Sequence, residues 1–152
     1  LRNFLATPDT LLICAGFSFA DAHISARIDE GLASNASASV FAFQFKNLDA
    51  EVYACELGKR LPNFSVYARD AAIVNGSTGV WRVPAEMPTK DWAPIRLSYW
   101  APPKPESPYE FTLGGIEPFS RFFSKSRSSQ AFAETTGEEA KHPEPVASGT
   151  DK

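Results

Sequence analysis

Long apolar runs are absent from this sequence. The longest, around Leu11–Phe19 and Val40–Phe45, fall far short of the roughly 18 residues a helix needs to cross a bilayer, which excludes a membrane-spanning helix within it. A basic excess is absent too. With 15 Lys and Arg against 18 Asp and Glu, the formal charge is −3 and the pI near 5.4, so the electrostatic footprint of a nucleic-acid binder is missing. Cysteine is scarce. Cys14 and Cys55 are the only two, too few for a disulfide framework or a four-cysteine zinc site, and both read as small apolar groups, reduced and far apart. Histidine is equally rare, at His23 and His142. No internal repeat occurs. Three glycosylation sequons, at Asn35, Asn63 and Asn75, carry meaning only in a secreted protein.

What is present is a core. A hydrophobic content of 43% over 152 residues supports one α/β domain and no more. The chain is organised around Leu11–Ile24. Five apolar residues without alternation, Leu11 to Ala15, predict a strand buried on both faces, and Gly16 lets backbone come close to whatever lies beyond it. From Asp21 the period changes. Ile24, Ile28 and Leu32 recur every fourth residue and predict a helix to Ser34. A strand, a glycine and a helix start make a corner of the kind that offers free N–H groups to phosphates and riboses at the carboxyl end of an α/β sheet.

The rest follows in order. Leu1 to Leu5 predict the last turn of a helix, so the chain is expected to open in mid-structure and to leave an apolar strand edge uncovered. Val40–Phe45 predicts a second strand. Asn47 reads as the cap of a helix over Leu48–Leu61, with Asp49 and Glu51 in its first turn and Lys59 and Arg60 in its last, each suited to the helix dipole. Phe64–Ala68 predicts a third strand, and Ala71–Val74 a short fourth one before the turn Asn75-Gly76-Ser77. The order β-α-β-α-β predicts parallel strands with right-handed crossovers.

Seven of the twelve prolines and two of the three tryptophans fall between Pro84 and Pro108. They predict an irregular arm over 84–112 whose Trp92, Tyr99 and Trp100 cover the parent domain. Phe119, Phe122 and Phe123, at helical spacing, predict a docking helix over 113–124. From about Lys125 to the end the composition predicts a disordered tail.

The chemistry of the corner has several readings. Ser18 and Asp21 have the spacing of a capping box. A serine nucleophile is disfavoured, because Ala20 stands where a nucleophile elbow wants glycine and Asp21 and His23 sit too close in sequence to relay protons to Ser18. A metal pair of Asp21 and His23 is disfavoured as well, since residues two apart on a helix face apart. His23 then reads as a hydrogen-bonded structural group.

The string Gly16-Phe17-Ser18-Phe19-Ala20-Asp21-Ala22-His23-Ile24, preceded by Leu-Leu-Ile-Cys, resembles the GYSFxDxHI signature of the SIR2-like, sirtuin-related proteins of bacterial anti-phage defence. The resemblance implies a Rossmann-like parallel sheet, the carboxyl-terminal half of a SIR2-like domain over residues 1–83, and NAD as the ligand. It assigns the ribose and phosphate of NAD to Gly16, Phe17 and Ser18, and Asp21 and His23 match the narrower family. It places Gln44 near the adenosine ribose and the backbone of Ala71 and Ala72 beside the adenine. Leu113–Phe123 is similar to the closing G-x-F-x-x-F helix. The family's GAG loop, QN-x-D segment and catalytic histidine have no counterpart here, so the implied function is the NAD-binding part of a cytoplasmic NAD-hydrolysing effector, catalytically incomplete by itself. The implied partners are a second copy or a second defence protein, with no nucleic acid and no membrane. A non-catalytic nucleotide-binding or assembly module is the rival reading.

Overall fold

The computed structural model describes residues 1–82, 99–101 and 110–137, the side chains of 127–137 excepted. Five strands form one sheet in the order β1 (Leu11–Ala15), β2 (Ser39–Phe43), β3 (Phe64–Tyr67), β4 (Ala71–Val74) and β5 (Ser77–Val80). β1, β2 and β3 are parallel, with Leu12 opposite Val40 and Val40 opposite Phe64. The all-parallel expectation ends there, because β4 and β5 run antiparallel. Three residues between β3 and β4 are too few for a crossover, so the chain can only return as a hairpin. Asn75 and Gly76 close the next hairpin with φ of +49° and +73°, the two positive values a two-residue type I′ turn demands.

The helices α1 (Arg2–Leu5), α2 (Ala22–Ser34) and α3 (Val52–Arg60) pack on one face of the sheet. Two right-handed crossovers that step in the same direction leave their helices on the same side. Ile28 and Leu32 of α2, with Ala54 and Leu57 of α3, meet Val40, Ala42, Phe64, Val66 and Ile73 of the strands, all buried. Close approach is built in at Gly58, where a Cβ would lie 2.8 Å from Val66 Cγ2. Ile24, expected in the buried stripe, is exposed at the first turn of α2. The segment before α3 is a short 3-10 turn, Leu48–Ala50, so Asn47 caps that turn, without a side-chain bond, and Glu51 stands at the start of α3. Asn63 Nδ2 reaches the carbonyls of Leu32, Asn35 and Ala38, and Asn35 Nδ2 those of Leu5 and Thr7, so two of the three sequon asparagines serve the fold.

The opposite face carries aromatics. Phe41, Phe43 and Tyr67 project there, and Phe43 meets Phe111 at 5.7 Å and Phe119 at 6.0 Å between ring centroids. A two-stranded ribbon of β6 (Trp100–Ala101) and β7 (Glu110–Phe111) lies over them, Trp81 packing edge-on to Trp100 at 4.9 Å. Trp100 thus packs on Trp81 of the parent domain as expected, whereas the Tyr99 ring meets Trp100 and Phe122, and Trp92 lies outside the described residues. Helix α4 (Ile116–Gly137) docks through Phe119 on Phe43 and through Phe122 on Tyr99. It continues well past Lys125, where a tail was expected, and residues 138–152, His142 among them, lie outside the described ones.

β1 is a correction to the sequence reading. It is the edge of the sheet, not a strand buried on both faces, and Leu11 and Ile13 are 46% and 38% exposed. An unbroken apolar run signals two covered faces only when the strand is interior.

Both cysteines are free thiols. Burial pushes the Cys14 thiol above its ordinary value. Burial also raises Cys55, whose Sγ–H donates to the Leu48 carbonyl at 3.0 Å; Lys59 opposes the rise and Glu51, Asp49 and Asp70 add to it. The protonated form is the one the fold favours, so this stability is present at neutral pH and is lost as pH climbs from the unfolded thiol value through the raised ones. Iodoacetamide at neutral pH should label the native chain more slowly than the chain in denaturant, because the thiolate is the nucleophile. Equal rates in the two states would refute the placement of both thiols.

Candidate functional site

The parallel strands end together, and their carboxyl ends open a cavity of about 460 Å³ lined by Gly16, Ser18, Gln44, Phe45, Lys46, Glu51, Gly114, Gly115 and Ile116. Its size is that of a small-ligand site, roughly 300–1,000 Å³. The corner after β1 forms one wall. Gly16 N–H still donates to the Phe43 carbonyl at 2.9 Å, extending the ladder by one rung, and φ of +67° then swings the chain away. Phe19 completes the turn at φ +58°, its ring buried between Phe17 and Phe64.

Asp21 is the cap of α2. Its backbone is extended and its Oδ1 accepts from the N–H groups of His23 at 2.9 Å and Ile24 at 3.2 Å, a bond set worth about 0.5–2 kcal/mol. Ser18 is therefore not the first partner of a capping box. The left-handed turn at Phe19 carries its hydroxyl away from the helix start, and Ser18 Oγ instead lies 3.4 Å from Ala20 N. That leaves Ser18 exposed at the cavity rim.

Gln44 is 1% exposed, and its Nε2 donates to the Phe17 carbonyl at 3.0 Å. This bond ties the end of β2 to the corner after β1. Phe17 offers that carbonyl and turns its ring to Phe19. Of the residues that sequence points to, Gly16, Ser18 and Gln44 meet at the cavity. Phe17 stands behind them. Asp21 and His23 are exposed on the first turn of α2 and do not line it, and Ala71 and Ala72 are buried in β4, also away from it.

The other wall comes from afar in sequence. A Cβ on Gly114 would fall inside the van der Waals shell of the Gln44 carbonyl and 2.5 Å from Phe45 N, and one on Gly16 would lie 3.0 Å from the Gly114 carbonyl oxygen. The backbone that Gly16 lets approach is thus the chain's own. Gly115 and Ile116 bring the amino-terminal end of α4 to the cavity, an end that favours negative charge. Lys46, exposed, and Glu51, buried, supply one charge of each sign. Sequence reasoning passes over Phe45, Lys46, Glu51 and the Gly114-Gly115 pair as site residues. The paired glycines ahead of a helix are a readable signal for close backbone packing; nothing local marks Glu51.

Fold and site together define an α/β protein with a ligand-sized cleft at the carboxyl ends of its parallel strands. No protein-family model matches the chain, and no curated protein matches it.

Proposed function

We propose that this chain is the nucleotide-binding part of a SIR2-like, NAD-consuming protein of anti-phage defence, acting in the cytoplasm. The observation that carries this reading is the meeting of Gly16, Ser18 and Gln44 at one cavity beyond the ends of β1 and β2, where open α/β sheets of the Rossmann-like kind hold nucleotides. The amino-terminal end of α4 favours the phosphates, and the apolar rim of Phe45 and Ile116 suits a base. The chain is catalytically incomplete in this reading. Among the described residues that line the cavity none is a histidine or a cysteine.

A second reading has its own observation. The edge of β1, unpaired among the described residues and with Leu11 and Ile13 exposed, suits pairing with another strand, so the chain also serves as an assembly module that joins the rest of a larger domain or a second copy.

Calorimetric titration of NAD into the chain tests the first reading, with Ser18→Tyr as the comparison. Ser18 is exposed, so a bulky ring there blocks the cavity without touching the core. Saturable NAD binding that Ser18→Tyr abolishes, at an unchanged melting temperature, is the expected result. No binding by the parent chain would remove the nucleotide reading and leave the assembly one. Gly16 is the wrong place for this test, because its left-handed φ and the nearby Gly114 carbonyl couple any substitution to stability.

A further inference from the structure

Resting on that nucleotide reading, the geometry points to Glu51, and not Gln44, as the group that recognises the adenosine ribose of the ligand and that sets a preference for NAD over its 2′-phosphorylated form. Gln44 is spent. Its amide nitrogen is committed to the Phe17 carbonyl and its side chain is 1% exposed, so it positions the corner instead of reading a ligand. Glu51 lines the same cavity and is 8% exposed. Its Oε1 accepts from the Lys46 N–H at 3.2 Å, which fixes the carboxylate in place. No hydrogen bond among the described residues engages Oε2, which leaves that oxygen its acceptor capacity.

A fixed carboxylate with free lone pairs is an acceptor for hydroxyls, and a ribose 2′,3′-diol presents two adjacent O–H donors. Acidic side chains beyond the second strand of a dinucleotide site play this part generally. The same carboxylate opposes a 2′-phosphate, because two negative charges would meet where little water remains to screen them. Lys46 does not cancel this. It is exposed, so water screens its charge, whereas Glu51 is buried.

Glu51→Gln is the discriminating variant. It keeps an oxygen for Lys46 N–H and removes the charge. NAD and NADP are titrated calorimetrically into the parent chain and into Glu51→Gln. The parent should favour NAD by tenfold or more, and the variant should lose about tenfold in NAD affinity while holding or gaining NADP affinity, which collapses the ratio. The ratio is taken within one preparation, so a change in folded fraction neither mimics nor hides the effect. A parent that binds both equally, or a variant that keeps the parent's ratio, would overturn the role of Glu51 and leave the nucleotide reading intact. A parent that binds neither would overturn both.

Discussion

Gly114→Ala should lower the melting temperature by about 6–12 °C and open the wall of the cavity. The added methyl would have to enter the space of the Gln44 carbonyl group and the Phe45 nitrogen. These are backbone atoms of the chain leaving β2, with no rotamer to change. Overpacking costs about 1–3 kcal/mol when side chains can yield, and backbone yields less, so about 3 kcal/mol is the expectation; for a chain of this size each kcal/mol moves the midpoint by about 2–4 °C. The relief available is for the Gly114 turn to lift away. That would carry α4 with it and uncover Phe43, which rests on Phe119. Near-ultraviolet circular dichroism reads this directly, since the aromatic layer gives the signal, and the melt gives the energy. A midpoint within about 1 °C of the parent, with the aromatic signal intact, would mean that the Gly114 turn does not rest on β2.

Phe19→Ala should cost about 3–5 kcal/mol, the usual range for deleting a buried phenyl ring. The ring is 1% exposed and sits edge-on to both Phe17, at 4.9 Å, and Phe64, at 5.2 Å. It therefore fastens the corner to β3 as well as filling the core. Its backbone lies at φ +58° and its carbonyl accepts the Ser25 hydroxyl at 2.7 Å. Left-handed backbone costs a side-chain-bearing residue about 1–2 kcal/mol, so Phe19→Gly should be less damaging than Phe19→Ala by about 1 kcal/mol although it removes more atoms. Urea unfolding of the three proteins checks both statements. If Phe19→Ala unfolds at the parent's urea midpoint, the ring is not a core group. If Phe19→Gly is the weaker of the two variants, the left-handed turn does not matter.

The order of the first three strands and two helices is written locally. Leu11–Ala15 and Val40–Phe45 are apolar without helical period, while Ile28 and Leu32 keep the spacing of one helix face, and both patterns are set by residues a few positions apart. The corner at Gly16 is written there too. Its neighbours Ser18 and Gln44 reach the cavity because parallel strands in register bring their ends to one level. Asn75-Gly76 carries the signature of the last hairpin, since only residues that accept a left-handed backbone fit its turn.

What tertiary structure alone decided is non-local. The same five apolar residues of β1 would serve an interior strand or an edge, and only the strand order shows that Leu11 and Ile13 face outward. Ser18 and Asp21 have capping-box spacing, yet one positive φ at Phe19 hands the cap to Asp21. Glu51 has the sequence context of a first-turn carboxylate; it becomes a cavity group because the loop from Lys46 folds back and bonds it. Gly114, some seventy residues beyond Gln44, closes the site by resting backbone on backbone. Periodicity and turn chemistry are properties of neighbouring residues, and a sequence displays them directly. Which distant segment fills the space beside a corner depends on the shape left by every packed element, and that shape exists only once the chain has folded.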